Sequence, residues 1–505
     1  MSRMKPTDVL FIFSDEHDPR YMGCSGHPFI KTPNLDRLAA RGTRFANAYT
    51  PCPVCVPARA SLATGRYVNE IGYWDNAIAY DGRIPSWGHR MQDAGMRVES
   101  IGKLHYANDS DPTGFDRQHE PMHILNGIGQ LWGSVRDPMP AKAGRSALYD
   151  KVGAGTSNYN RYDERIEHLA QKWLEDRADA PNAKPWMLFV GLVAPHMPLV
   201  VPQQYLDLYP LDRISLPKLL PRDGYRRHPW VERMASHWDH DATLGSDERR
   251  KLAIACYFGL ITFLDERIGR LLTVLEQTGL AATTRVIYST DHGDNLGTRG
   301  LWNKDVLYRE STGIPLLMAG PGIAAGKVSR TNVNLVDLYP TFLDAVGVPP
   351  IERERELPGR SLFNIADEAD DPDRIVLSEY HAVGAVSGAF MLVRGRYKYH
   401  YYVGFRPELF DLEADPEEMY DLAEDPAYAD EIAAFEKDLR RMLDPEAVDR
   451  RPRMTRMRSS RATADETPRL CSATRARRRR RRSSMRGNGD DFLFSVQNTL
   501  ERNHR

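Results

Sequence analysis

The segment Asp8–Ser14 carries the continuous apolar run Val9-Leu10-Phe11-Ile12-Phe13 and then stops abruptly at polar residues. An extended segment that is apolar on both faces belongs inside a parallel sheet covered on both sides. Trp186–Val193 reads as a second buried strand, and Arg97–Ile101 and Arg285–Ser289 as further strands. Each of these strands runs directly into ionisable residues: Asp15-Glu16-His17, Gly102-Lys103-Leu104-His105, Pro195-His196-Met197-Pro198 and Thr290-Asp291-His292-Gly293-Asp294. In open α/β sheets the carboxyl ends of the strands are where ligands bind. Two consecutive carboxylates there, Asp15 and Glu16, repel unless a cation lies between them. On an extended segment Lys103 and His105 share a face, a pairing suited to anion binding and proton transfer.

The stretch Cys55-Val56-Pro57-Ala58-Arg59-Ala60-Ser61-Leu62-Ala63-Thr64-Gly65 is the most informative. Pro57 is read as the opening of a helix and Gly65 as its end, with Cys55 just before the N-terminus. Free N–H groups and the positive dipole end favour an anion there. Arg59, one turn on, offers a planar fork of donors to a sulfate, a phosphate or an oxyanion. Plainer readings remain open. Cys52 and Cys55 form a Cys-x-x-Cys pair, half a zinc site or a redox pair, without a second such pair; Cys24, Cys256 and Cys471 are scattered. A single Cys is also an ordinary small buried residue.

The spacing Cys-x-Pro-x-Arg followed by Leu-x-Thr-Gly resembles the signature of formylglycine-dependent sulfatases and the related phosphonate monoester hydrolases. Other segments are sulfatase-like in the same order: Thr32-Pro33-Asn34-Leu35-Asp36, Pro195-His196-Met197-Pro198, Asp291-His292-Gly293 and Asn334–Thr341. Tyr73-Trp74-Asp75-Asn76-Ala77 and Leu301-Trp302-Asn303-Lys304 are similar to choline sulfatases. The resemblance covers roughly residues 7–445. It implies an α/β, alkaline-phosphatase-like fold: a large mostly parallel sheet sandwiched by helices, with a smaller C-terminal antiparallel sheet and helix.

It also implies a site. Cys55 is the residue converted to formylglycine. Asp15, Glu16, Asp291 and His292 are the metal ligands, with Glu16 a departure from the usual Asp or Gln. The ion is usually calcium, sometimes manganese or magnesium, and carboxylates with one neutral imidazole suit such an ion. Arg59, Lys103, His105, His196 and Lys304 bind the sulfate group or move protons, and Asn76 and Glu379 contact the substrate. Each has a plainer role beside it: Asn76 a turn residue, His196 a turn histidine, Lys304 a solvated lysine, Glu379 a solvated strand residue.

The function implied is sulfate ester hydrolysis through the formylglycine diol, with a small sulfate ester as substrate and a formylglycine-generating enzyme as partner. A phosphonate monoester or phosphodiester hydrolase using the same residues, and a catalytically silent binding protein of the same fold, stay as alternatives. A homo-oligomer is compatible with the sequence.

The apolar run near the N-terminus is too short for a signal core or a membrane span, so a cytoplasmic protein without membrane attachment is expected. Five cysteines at irregular spacing make no disulfide framework. Three regions are expected: a catalytic domain over 1–365, an α+β subdomain over 366–448 and an Arg-rich tail over 449–505. The net charge of −1 hides an asymmetry: residues 450–505 carry 17 Arg against 5 acidic residues, and the remainder carries 51 basic against 64 acidic. The run Arg477–Arg482 is read as a disordered, non-functional extension with no specific nucleic-acid role. Helices are expected near Glu164–Arg177, over Glu248–Thr278 and over Ile432–Leu443, and substrate selectivity in the loops of 106–182.

Overall fold

The computed structural model describes residues 6–127, 129, 147–180, 185–237, 239–382 and 384–453. Its centre is an eight-stranded sheet in the spatial order Lys327–Ser329, Gly42–Phe45, Leu316–Ala319, Thr284–Thr290, Asp8–Asp15, Trp186–Pro195, Arg97–Lys103, Arg117–Met122. The last five of these run parallel. Leu316–Ala319 is antiparallel to both of its neighbours.

Asp8–Asp15 lies in the middle because both of its faces must be buried. Leu10 and Ile12 join the core under the helices Asn158–Ala178 and Asp247–Gln277. Val9, Phe11 and Phe13 face the other way, under Cys55–Thr64, Trp87–Asp93 and Leu338–Ala345. The register pairs Phe11 with Phe189 on one side and with Ile287 on the other. The strands therefore end level, Ser14 beside Thr290 and Asp15 beside Pro195. That register brings residues 15–16, 195–196 and 290–292 to one edge.

The selectivity region expected in 106–182 lies partly outside the described residues. Its helix starts earlier than the sequence pattern predicts, at Asn158, with the Ser157 side chain accepting from the Asn160 N–H. A good cap outweighs the poor helix propensity of Asn158–Asp163. The long helix is Asp247–Gln277, within a residue of expectation.

Four antiparallel strands, Val376–Tyr380, Ala389–Arg394, Tyr397–Tyr402 and Glu408–Asp411, form the smaller sheet. The helix Ala429–Met442 lies on it, with Phe435 stacked on Tyr399 at 5.5 Å. The core of this sheet continues into Cys52, Val54 and Trp74, so it is built against the loop that leads to Cys55. Among the described residues no helix is long and apolar enough to cross a membrane.

Candidate active site

The helix Cys55–Thr64 begins at Cys55, with Val54 as its extended N-cap, not at Pro57. Pro57 falls inside the first turn, where its missing N–H still costs nothing. Gly65 ends the helix in the left-handed region (φ 68°), and a Cβ there would meet the Tyr339 ring at 2.8 Å. The whole helix is buried, and its first turn points at the carboxyl edge of the sheet. Cys55 Sγ sits 3.2 Å from His292 Nε2 and 3.7 Å from Asp15 Oδ1.

Around that sulfur lies a dense set of charges. Ligand atoms of Asp15, Cys55, Asp291 and His292 fall within 4.8 Å of one another, as do those of Asp15, Glu16 and His196. Lys103 Nζ is 2.7 Å from Asp15 Oδ2, and Lys304 Nζ is 3.2 Å from Glu16 Oε2. His196 Nε2 stands 3.4 Å from Glu16 Oε2 and 3.8 Å from Asp15 Oδ1. The strand end that carries His196 is held by Asp163, whose carboxyl oxygens each accept from one N–H, of Val193 and of Ala194, at 2.8 Å.

Arg59 departs from its expected role. Its Nε donates to Asp291 Oδ2 at 2.8 Å and its Nη2 to Asp15 Oδ2 at 2.9 Å, and Nη1 donates to the Lys103 carbonyl. The fork therefore grips two carboxylates from below rather than facing an anion, because two buried negative groups need a planar multi-donor cation more than a substrate does. Its other face stacks on Phe13 at 4.9 Å.

Asn76 Oδ1 accepts from the Val56 N–H, a helix-end contact one residue past Cys55. Glu379 is fully buried rather than solvated. Its Oε1 accepts from Asn69 N and Nδ2 at 2.8 and 2.9 Å, and its Oε2 lies 2.8 Å from His381 Nε2. The structure commits it to those partners, apart from the cluster at Cys55.

Protonation states follow from burial and neighbours. Burial pushes the Asp15 carboxyl up, but the permanent charges of Lys103, Arg59 and Lys304 outweigh it and hold it well below the usual range. Burial pushes Glu16 well above that range; Lys304 offsets this only in part, and Asp294 adds to it. The Cys55 thiol is pushed up to about 12 by burial, with Asp15 adding to it. Burial and then Lys103 drive His105 well below the usual imidazole value, and burial and Lys304 do the same for His196. His292 Nδ1 lies 3.0 Å from the Gly293 carbonyl, which fixes the N–H on that nitrogen and leaves the Nε2 lone pair facing the cluster. A Cβ on Gly293 would meet the Glu310 carbonyl at 2.1 Å, so this turn requires glycine.

Four non-glycine residues at this edge are left-handed: Glu16 (φ 70°), His105 (φ 60°), Asn303 (φ 72°) and Asp305 (φ 82°). Each such residue costs about 1–3 kcal/mol and persists only where its surroundings over-determine it. One further ionic group is not visible in the sequence pattern: buried Arg299 pairs with Glu310, which also faces Arg20, itself clamped to Asp18. Glu310 supplies the partner that the neighbouring Arg309 could not. Only side-by-side charge in the sequence, Arg309-Glu310, hinted at it.

The donor set suits a divalent cation. Glu16 Oε1 is buried with no hydrogen-bond partner, and Asp15 joins two ligand sets, one with Cys55, Asp291 and His292 and one with Glu16 and His196.

Comparison with known proteins agrees with this geometry. The Sulfatase family model matches residues 7–348, and the model for the C-terminal part of N-sulphoglucosamine sulphohydrolase matches 297–444. The chain belongs to the sulfatase family. It is 31% identical over 449 residues to the choline-sulfatase of Rhizobium meliloti, covering 84% of each chain. It is 28% identical to human arylsulfatase K, over 83% of this chain and 79% of that one. Among solved structures, the phosphonate monoester hydrolase of Silicibacter pomeroyi superposes with a TM-score of 0.68 at 25% identity, over 86% of this chain and 95% of that chain. This sulfatase-family chain is a sulfuric ester hydrolase, and the cluster around Cys55 is its candidate metal and catalytic site.

Proposed function

We propose that the protein hydrolyses a small sulfate ester using formylglycine made from Cys55 and a divalent ion, calcium first, held by Asp15, Glu16, Asp291 and His292. The observation that carries this is the position of Cys55 Sγ, on a helix N-terminus and 3.2 Å from His292 Nε2, beside the carboxylates of Asp15 and Asp291. The bound ion and the hydrated aldehyde supply, respectively, charge neutralisation and a nucleophile that is regenerated when sulfate leaves. In the net reaction water's oxygen is added to sulfur, the ester S–O bond breaks, and the alcohol departs with one proton.

The chain's own residues do the rest. Lys103 and Lys304 present ammonium groups toward the sulfate oxygens. Lys304 Nζ lies 3.2 Å from Glu16 Oε2, and against the cost of burial its acidic neighbours favour the protonated amine. Lys304 is thus the donor to the departing alcohol. His196 is a poorer acid: its Nδ1 lies 2.7 Å from the Met197 carbonyl and its ring is held neutral, so Nε2 carries a lone pair. His105 is neutral and half-buried, with a buried Nδ1 that has no hydrogen-bond partner, which suits a proton acceptor.

The relative named for choline sulfate, and the matching segments at 73–77 and 301–304, favour a compact alkyl sulfate over a large glycan. Mass spectrometry of the Cys55 peptide tests the nucleophile: formylglycine is about 18 Da lighter than cysteine. A panel of choline sulfate, aryl sulfate, phosphonate monoester and phosphodiester then ranks the substrates. A highest kcat/KM for a phosphonate or phosphodiester would replace the sulfate reading.

A further inference from the structure

The left-handed turn at Glu16 has a clamp that no sequence motif marks. Tyr257 lies in the middle of the Asp247–Gln277 helix, fully buried. Its hydroxyl donates to the Glu16 carbonyl at 2.6 Å and accepts from the Asp18 N–H at 3.0 Å. One oxygen thus bridges Glu16 and Asp18, holding the carbonyl that follows the φ 70° kink at Glu16. The other side of the turn is tied to the sheet: Glu16 N donates to Asp291 Oδ1 at 3.2 Å and His17 N to Thr290 Oγ1 at 3.3 Å. With the backbone pinned at both ends, the Glu16 side chain has one approach to the cluster, with Oε2 on Lys304 and Oε1 unpartnered.

We infer that Tyr257 is a positioning residue for the metal site, fixing the backbone of Glu16 so that its carboxylate is pre-aimed at the ion. Removing the hydroxyl leaves a buried carbonyl and a buried N–H unpaired immediately after the strained Glu16. The turn then relaxes and the carboxylate loses its aim. Groups that orient metal ligands in this way are typically worth about 10- to 100-fold in affinity. The inference rests on Glu16 being a ligand, and the test separates the two.

Full-length protein is stripped with EDTA, and Ca²⁺ or Mn²⁺ alone is titrated calorimetrically into wild type, Tyr257→Phe and Tyr209→Phe. Tyr209 is the control. Its hydroxyl is also buried, bonding Thr262 on the same helix and the Lys31 N–H, away from the cluster. Tyr257→Phe should weaken the ion's Kd by about 10-fold or more. Tyr209→Phe should lower Tm by a similar amount and leave Kd unchanged. With Glu16→Gln in the background, adding Tyr257→Phe should cost no further affinity. Equal Kd for wild type and Tyr257→Phe, or additive losses with Glu16→Gln, would overturn the clamp while leaving the metal reading intact. Wild type that binds neither ion would overturn both.

Discussion

Nε2 of His292 lies 3.2 Å from Cys55 Sγ, nearer to it than the Asp15 carboxylate at 3.7 Å. The sulfur is thereby placed among groups that disfavour a thiolate, and burial pushes its pKa up to about 12. As a plain thiol it is a poor nucleophile, which supports the proposed conversion of this side chain to formylglycine.

Cys55→Ala should therefore lower kcat by at least about 10⁴-fold. The fold should stay within about 1 kcal/mol of wild type, since only one small buried atom is lost. Turnover and a urea midpoint measured on the same preparation check this. Residual activity near wild type would remove Cys55 from the reaction.

Arg59 is the counterweight to the acidic pair beneath the site. Truncating it leaves Asp15 and Asp291 buried without their shared guanidinium, a loss of about 3–5 kcal/mol. Arg59→Lys should also fall short, because an ammonium cannot reach both carboxylates in a fork. The expected result is a clear drop in apparent stability for both variants, larger for Arg59→Ala, alongside lost activity. A stable but inactive Arg59→Ala would return the residue to direct substrate binding.

His240 sets one part of the acid limit. Burial lowers its pKa to about 4, against the weaker opposite pull of Asp239, while its unfolded value is near 6.5. The unfolded chain then binds a proton that the folded chain refuses between pH 6.5 and 4. Stability from this group is complete above pH 6.5 and falls as pH drops through that window, by up to about 1.4 kcal/mol per pH unit. Chemical denaturation across this range should show the slope, and His240→Gln should reduce it. An unchanged slope in the variant would assign the acid sensitivity elsewhere.

The parts of this architecture that are legible in the sequence are those written locally. Val9–Phe13 has no polar face, so its burial in a parallel sheet follows from composition alone. The spacing from Cys55 to Gly65 marks a helix with Cys55 at its start and Gly65 at its end. What the sequence hides is partnership over distance. Arg59 advertises five donors but not that carboxylates 44 and 232 positions away, with the Lys103 and Ser14 carbonyls, will engage them. Tyr257 sits in a helix whose periodicity marks it as buried, without saying that its hydroxyl meets the turn at Glu16. The solvated role open to Glu379 failed for the same reason: alternation places it on a strand face, and only the neighbouring Asn69 and His381 show that face to be closed.

Residues beyond 444 make contacts that tie them to the rest of the described body. Helical residues 445–452 bury Val448, and Asp449 Oδ1 accepts from the Gly388 N–H at 2.5 Å. Arg451 donates to the Asn69 carbonyl at 2.7 Å and covers the Trp74 ring at 5.2 Å, two residues from Asn76. A chain ending at Arg453 keeps all of these and every residue of the candidate site, so its kcat and Tm should match the full-length protein. A chain ending at Asp444 exposes the Trp74 face and leaves the buried Gly388 N–H unpaired, which alone costs about 1–3 kcal/mol. Its Tm should fall by about 1–3 °C, at roughly 1 °C per kcal/mol for a body of this size. Thermal melts and turnover of the two truncations decide the matter, and a large activity loss on ending at Arg453 would mean that the Arg-rich residues beyond it take part in function.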